Sequence, residues 1–558
     1  MNTNRRRPPN DRTALWVAAS IVAVLALVVP WLGWTTAARF DDTVPEPGGL
    51  TDFSTQLREV GWPSAATPWA IGYVIALIVA FTVIVAAVVQ RRSRRAPLMD
   101  QVKHLPADKA GLERYLQGTG PVIGRVVNGR NNRGPVLRMT TEDQGLVIAG
   151  PRTGKTTTLA VPAALDHDGP LIVTSNKRDI YDAIAEHRAT RGQVWLFDPQ
   201  GLIDPAPPAW WWNPLEIAGT VAGARRLAGI WTRAGRAADA RTDAYFDGAG
   251  EELLAQLILA AALDDSRSVG LVYTWLAQPS DPTPRDLLRA HPGFEHLASG
   301  LAANQDLPDK QRAGVYGTAQ RSIAWLADPM IRAWVEDPAG TRPCWTATSL
   351  ACSTDTLVSI SREGDGSAAP LVTSLTAAVL QQAERTAMAS SNGRLSTPLL
   401  GVLDEAANVC RWSELPDLYS HYGSRGIVLV SYVQSWAQLT EAFGAQGAEK
   451  LWSSANVRVY GGGVSETTFL RRLSEIAGEH DETLWSYSAT IGGDGRRSHG
   501  DSTHHRRIAT LDIATLGALP QWHAFVVLSG ARPVMVQLTP YWEQPARPKP
   551  ETVAGASQ

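Results

Sequence analysis

An α/β fold built on a mostly parallel sheet is the architecture this sequence predicts, and three observations carry the prediction. Short, near-continuous apolar runs recur along the 558-residue chain with helical stretches between them, as strands buried on both faces require. One run, Leu146-Val147-Ile148, opens into the glycine- and threonine-rich loop of GLVIAGPRTGKTTTL, residues 145–159, and helix-compatible sequence follows. Another run, LLGVL at 399–403, ends in the acidic pair Asp404-Glu405.

The length exceeds one ordinary domain and allows several cores. A formal net charge of −2 excludes a globally basic, nucleic-acid-coating protein, so any such contact has to be local. Cys344, Cys352 and Cys410 are widely spaced, form no metal-ligand pair and read as buried small apolar residues of a reducing compartment.

Taken in order, residues 1–13 are basic and polar. Residues 14–34 carry no charge and are long enough to cross a bilayer, and a second uncharged run occupies 69–90. Arg5, Arg6 and Arg7 precede the first run, and Arg91, Arg92, Arg94 and Arg95 follow the second. The intervening segment, 35–68, is acidic, with Asp41, Asp42, Glu46, Asp52 and Glu59. This asymmetry predicts two transmembrane helices in the cell membrane, both termini cytoplasmic and the loop outside. A cleaved signal peptide would account for the first run but not the second.

From 91 to 212 the sequence reads as the first part of a nucleotide-binding α/β domain, with strands expected at 146–148, 171–173 and 194–197. Between 213 and 337 strand signals fade and alanine and leucine rise in helical spacing, which predicts an inserted all-α domain longer than one crossover needs. Residues 338–542 return to the α/β pattern, with strands expected at 399–403, 427–433, 457–460, 523–528 and 534–539. The tail, 543–558, is proline-rich, polar and expected to be disordered.

Counted from Ala149, the loop spacing is A-x-x-x-x-G-K-T, the P-loop pattern with alanine at the usual first glycine. Ala149, Gly150, Pro151, Arg152, Thr153, Gly154, Lys155, Thr156 and Thr157 form a loop whose backbone N–H groups, all but the one Pro151 lacks, can wrap around a polyphosphate at a helix N-terminus. Lys155 suits the β- and γ-phosphates of ATP, and the Thr156 hydroxyl suits Mg²⁺. Asp404, at the end of a buried strand, is the second candidate for the Mg²⁺ shell, and Glu405 is placed to polarise an attacking water. A dipole-favoured acidic pair at a helix start is the plainer alternative. Gln434 closes the run 427–433, as a γ-phosphate sensor or as a core-edge glutamine bonded to backbone. Arg425, in the turn-like GSRG, is a solvated turn residue or an arginine finger for a neighbouring subunit.

Three further stretches have blander readings. The arginines of GGDGRRSHGDSTHHRR, 492–507, could meet DNA phosphates, but a solvated, mobile loop is the expectation. His504-His505 lacks a thiol or carboxylate cluster for a metal. Trp210-Trp211-Trp212 could stack bases, but its proline-rich flanks suit a loop packed onto the domain.

With the two apolar runs, the P-loop, LFDPQG, LDEAAN, SRGI followed by VQSWAQL, and the closing stretch TLDIATLGALPQWHAFVVLSGARPVMVQLTPYW, the chain resembles type IV coupling proteins, the TraG/TraD-like conjugative ATPases. The resemblance runs from Gly145 to Tyr541 and is weak across the helical insert. It implies a membrane-anchored RecA-like motor, a homo-hexameric ring, and an all-α domain that helps select substrate. It further implies that relaxase-bound single-stranded DNA is delivered to a type IV secretion channel at the expense of ATP. Lys155, Thr156, Asp404, Glu405 and Gln434 fall on the family's motif positions. The family's D-x-K-G segment is replaced by VTSNKRD, 173–179, which keeps only Lys177. The short external loop suits a single-membrane apparatus, and the alanine- and arginine-rich composition hints at an actinobacterial source. Two other readings stay open: an adaptor that binds nucleotide but hydrolyses little, and an FtsK-like double-stranded DNA pump, whose expected multiple spans and C-terminal winged-helix domain are not recognised in this sequence.

Overall fold

Branched and leucine-rich runs become the strands of a single large sheet. The computed structural model describes residues 28–544, apart from 48, 51–52, 106–107, 128–133, 236–242, 365 and 492–496. The strands are β1 (Val122–Val126), β2 (Val136–Arg138), β3 (Gly145–Ile148), β4 (Leu171–Ser175), β5 (Val194–Phe197), β6 (Trp211–Trp212), β7 (Cys344–Trp345), β8 (Thr356–Ile360), β9 (Leu399–Leu403), β10 (Ile427–Val433), β11 (Val457–Tyr460), β12 (Glu479–Ile491), β13 (Arg497–Ala509), β14 (His523–Leu528) and β15 (Val534–Gln537). Eleven of them pair in the order β2-β1-β15-β14-β11-β3-β10-β9-β4-β8-β5. From β11 to β5 every neighbour is parallel. Antiparallel β14, β15, β1 and β2 extend the other side.

The parallel strands are wholly buried in β3, β4, β8, β9 and β10. Their alternation sorts the side chains to two cores. Leu146, Ile148, Ile427, Leu429 and Val433 join one, while Val147, Val428, Val430 and Tyr432 join the other. Each large aliphatic side chain removed from water in this way stabilises the fold by roughly 1.5–3 kcal/mol. Buried polar groups then fix the register. The Gln144 amide donates from Nε2 to the Ile427 carbonyl (2.8 Å) and accepts from the Leu429 N–H (2.8 Å), clamping the start of β3 to β10.

Strand β8 lies between β4 and β5 and was not expected from the sequence. Thr356 and Ser359 interrupt its apolar character, yet both are buried. The fully buried Arg188 guanidinium anchors its start, donating to Thr356 Oγ1 (2.7 Å) and to the Gly169 (2.8 Å) and Thr354 (3.1 Å) carbonyls.

Between β6 and β7 the described residues form helices, among them Val221–Ala234, Ala244–Leu263 and Asp309–Ser322. Helix Val221–Ala234 docks on helix Ala369–Ala389 of the α/β part, where the Trp231 indole donates to Ser374 Oγ (3.0 Å). The described residues from Leu98 onward form one compact unit. The tryptophan triplet is packing. Trp212 is fully buried, and Trp210 meets Trp334 edge-on at 5.4 Å between centroids.

Two expectations are corrected. Residues 497–507 belong to β13, which pairs with β12 from Glu479↔Ala509 to Ile491↔Arg497, so they form a β-ribbon rather than a loop. Residues 497–507 are almost all polar or charged and are held by the backbone ladder, so no apolar signature reveals this strand. Cys344 and Cys352 are exposed, at the edge of a two-residue strand and at the end of a short helix, and Cys410 alone of the three is buried.

Residues 1–97 form a separate unit. Helix 28–40 packs Trp34 and Ala37 with Val44, Phe53 and Ala66, and the Trp34 indole donates to the Pro45 carbonyl (2.9 Å). Of the first predicted membrane span, residues 14–27 lie outside the described residues, as does the basic segment 1–13. The second lies in helix Ala66–Val102, where the side chains of 84–90 are likewise not described. Among the described residues, no helix is long and apolar enough to cross a membrane. The C-terminal segment 545–558 also lies outside the described residues.

Candidate nucleotide-binding site

The parallel strands all end on one side of the sheet, and the motif residues collect there. Beyond β3 the Ala149 N–H still donates to the Val433 carbonyl (3.1 Å), so position 149 continues the ladder. Alanine serves here because its methyl faces Gly461, where an added Cβ would come within 2.9 Å. At Gly150 a Cβ would stand 2.1 Å from the Gly463 carbonyl, and the Gly150 N–H donates to the Gly462 carbonyl (2.9 Å). The loop turns through Arg152 at φ 61° and Gly154 at φ 93°. The Gly154 carbonyl accepts from Thr157 Oγ1 (3.1 Å) and Thr158 Oγ1 (2.8 Å), and Thr153 Oγ1 donates to the Gly150 carbonyl (2.8 Å). Thr156–Ala160 then forms a turn of π-helix, a feature frequent at functional sites, before helix Val161–Asp166.

Strand β9 delivers Asp404 and Glu405 to this loop, both nearly fully buried. Lys155 Nζ forms an ion pair with Glu405 Oε1. Thr156 Oγ1 donates to Asp404 Oδ2 (3.1 Å). Gln434, at the end of β10, donates from Nε2 to Glu405 Oε2 (3.0 Å). The structure thus brings together Lys155, Thr156, Asp404, Glu405 and Gln434 from three adjacent strands. Glu405 holds φ 54°, a left-handed backbone that is uncommon outside glycine and is typical of functional positions.

Asp404 Oδ1 is buried and has no hydrogen-bond partner. Burial pushes the Asp404 carboxyl up to about 6, opposed by the nearby Lys155 ammonium. An orphaned carboxylate oxygen beside a threonine hydroxyl fits a hard divalent cation with oxygen ligands. The loop with Lys155 fits a polyphosphate. The residues present therefore suit Mg²⁺ and a nucleotide.

Arg425 is not brought to this site. It precedes β10, at the far end of the sheet, where Nη1 donates to the Gly393 carbonyl (3.4 Å). The seven residues of β10 separate it from Gln434 by about 20 Å. Lys177 is exposed beyond β4, and its neighbour Asn176 donates to Glu363.

The sequence reading missed several contributors. Gly461–Gly463 supports the loop from β11, and a triple glycine closing a strand is the signal that marks it. A polar relay continues outward from Gln434. The Gln434 N–H donates to Gln438 Oε1 (2.8 Å), Gln438 Nε2 donates to Asn408 Oδ1 (2.9 Å), and Asn408 Nδ2 donates to Glu363 Oε1 (2.5 Å). Glu466 accepts from the Trp436 (3.0 Å) and Ala437 (2.7 Å) N–H groups, capping the helix that follows Gln434. No local spacing announces these partners.

A family model described as the TraM recognition site of TraD and TraG matches residues 398–521, which include β9 to β13 and the acidic pair. A probable conjugal transfer protein TraG of Sinorhizobium fredii (strain NBRC 101917 / NGR234) is 24% identical over 322 residues, 55% of this chain and 48% of that protein. The conjugal transfer protein TraG of Agrobacterium fabrum (strain C58 / ATCC 33970) is 24% identical over 326 residues, 55% and 46% of the two. The chain thus spans about half the length of the curated relatives it matches. Their sources lend no support to the actinobacterial hint in the composition. Among solved structures, the bacterial conjugative coupling protein TrwBdeltaN70 in an unbound monoclinic form aligns with a TM-score of 0.54 at 16% identity, over 79% of this chain and 94% of that one. TrwB in complex with ADP and Mg²⁺ aligns with a TM-score of 0.53 at 17% identity, over 78% and 92%. At such identity these two likenesses concern the fold. The chain thus carries a region that matches the TraM recognition site of TraD and TraG, is similar to TraG over more than half its length, and has the fold of the coupling protein TrwB.

Proposed function

We propose that this protein is the coupling ATPase of a conjugative type IV secretion system. In this reading it recruits relaxase-bound single-stranded DNA and drives its transfer by ATP hydrolysis, as a homo-hexamer anchored in the cell membrane with both termini cytoplasmic. One observation carries the reading: Lys155, Thr156, Asp404, Glu405 and Gln434 converge at the C-terminal ends of β3, β9 and β10.

Thr156 and Asp404 would hold Mg²⁺, which when bound supplies charge neutralisation at the phosphates. Lys155 would exchange its ion pair with Glu405 for the β- and γ-phosphates. Released from Lys155, Glu405 keeps its bond to Gln434 and is oriented to accept a proton from the attacking water at Oε1. Arg425 is too distant to serve its own site and would act only across a subunit boundary. The likeness to TraG proteins and the TraM-recognition description of 398–521 favour relaxosome and secretion-channel partners. The anchor is supported by arginines flanking both uncharged runs and by exposed apolar side chains along helix Ala66–Val102, including Ile71, Val74, Ile75, Ile78, Val79 and Val83.

The test is ATP turnover by the full chain reconstituted in lipid nanodiscs, with and without single-stranded DNA. Turnover stimulated by single strands is expected, with Lys155→Ala abolishing it. Glu405→Gln should retain ATP binding and lose turnover by about 10²–10⁴-fold, the usual contribution of a general base. An assembled ring that binds ATP without turnover would sink the motor and favour the adaptor. Stimulation by duplex alone would favour the double-stranded pump.

A further inference from the structure

The turn Leu519-Pro520-Gln521-Trp522 leads into β14 at the same end of the sheet as the phosphate loop. Leu519 rests on the supporting glycines, since a Cβ added at Gly462 would stand 3.2 Å from Leu519 Cβ. Trp522 lies against the phosphate loop itself. A Cβ added at Gly154 would meet Trp522 Cδ1 and Nε1, each at 3.3 Å, and Thr157 Oγ1 at 3.5 Å. The indole therefore flanks the glycine that immediately precedes Lys155.

Trp522 adopts φ 63°. A bulky aromatic in the left-handed region is a backbone outlier, and such conformations persist where the surroundings over-determine them, often at ligand sites. Here the Trp522 carbonyl accepts from the Leu538 N–H (2.8 Å), and the His523 N–H donates to the Pro520 carbonyl (3.1 Å). The ring is half-buried against the core that also holds Leu159 and Ala160 of the helix after the loop, and part of it stays open to solvent. A tryptophan needed only for packing has no reason to be held in a strained backbone with part of its ring exposed.

We propose that Trp522 is the stacking platform for the nucleobase of the nucleotide whose phosphates the 149–157 loop holds. The proposal rests on the nucleotide-binding reading above. A polyphosphate lying along the loop leaves its nucleoside at the loop's rim, where the indole supplies a flat apolar face fixed by its backbone. Stacking reads a π-face rather than a hydrogen-bonding edge, so the platform accepts ATP and GTP alike.

Calorimetric titration of the full chain in nanodiscs, with ATP and separately with inorganic tripolyphosphate, tests this. Trp522→Ala is expected to weaken ATP roughly tenfold, within the range that aromatic–base stacking supplies. Tripolyphosphate affinity should be unchanged, and Trp522→Phe should stay near wild type for both ligands. Equal weakening of ATP and tripolyphosphate by Trp522→Ala would mean that the indole only props up Gly154, and the proposal falls. Unchanged ATP affinity in that variant overturns it as well. If the wild-type chain binds neither ligand, the nucleotide reading itself fails and takes the proposal with it.

Discussion

Glu405 is the residue on which the site turns. It is buried, left-handed in backbone, ion-paired with Lys155 and hydrogen-bonded by Gln434. Its two oxygens are divided between the phosphate-loop lysine and a relay that runs through Gln438 and Asn408 to Glu363. Gln438 accepts from the Gln434 N–H and so fixes the Gln434 backbone. Gln438→Ala should therefore leave ATP affinity within about twofold and lower turnover by roughly 10- to 100-fold, because small displacements of a positioning group are costly. Paired measurements of binding and single-turnover rate check this. A parallel loss of affinity would mean that the relay supports the loop instead. The alanine at 149 makes a related point, since the glycine it replaces is supplied from the facing strand by Gly461.

At the scale of elements, the connection between helix Val161–Asp166 and β4 is held by an unusual arrangement. Arg188 and Arg191 both donate to the His167 carbonyl, and the His167 ring bonds the Pro170 carbonyl (3.1 Å). Burial and then the Arg188 charge push His167 down to about 4. In the unfolded chain the imidazole titrates near 6.5, so between these values the unfolded state binds more protons and stability falls as pH drops. This residue's contribution, roughly 3 kcal/mol, is complete above pH 6.5 and is lost progressively toward pH 4. Thermal midpoints recorded from pH 7.5 to 4.5 should decline less steeply in His167→Gln than in the wild type. Identical slopes would show that other groups set the acid response. β8 carries a similar lesson, because buried Thr356 and Ser359 break up its short apolar run and the Arg188 anchor lies far away in sequence.

For the whole molecule, the decisive geometry is that all parallel strands point their C-terminal ends the same way. It gathers residues from positions 149–157, 404–405, 434 and 461–463 at one edge and leaves Arg425 at the other. Arg425→Ala should consequently leave ATP affinity unchanged. In assembled rings, mixing Arg425→Ala with Lys155→Ala subunits should restore part of the turnover that each lacks alone. Absence of recovery would remove Arg425 from the catalytic set. The helical stretch between β6 and β7 shares its core with the sheet through Trp231 and helix Ala369–Ala389.

By itself the sequence determined the α/β class, most strands of the parallel sheet, and the loop and acidic pair that the sheet brings together. Each of these is written in contiguous residues, as an apolar run, a loop spacing or a strand ending in Asp-Glu. The structure alone decided which distant segments support them. The glycines behind the loop, the relay from Gln434 to Glu363, the indole of Trp522 against Gly154, the interrupted strand β8 and the polar strand β13, and the exposure of Cys344 and Cys352 follow from strand order and packing. Their partners lie tens to hundreds of residues away, so no local pattern records them. Proximity across a sheet is a property of the fold.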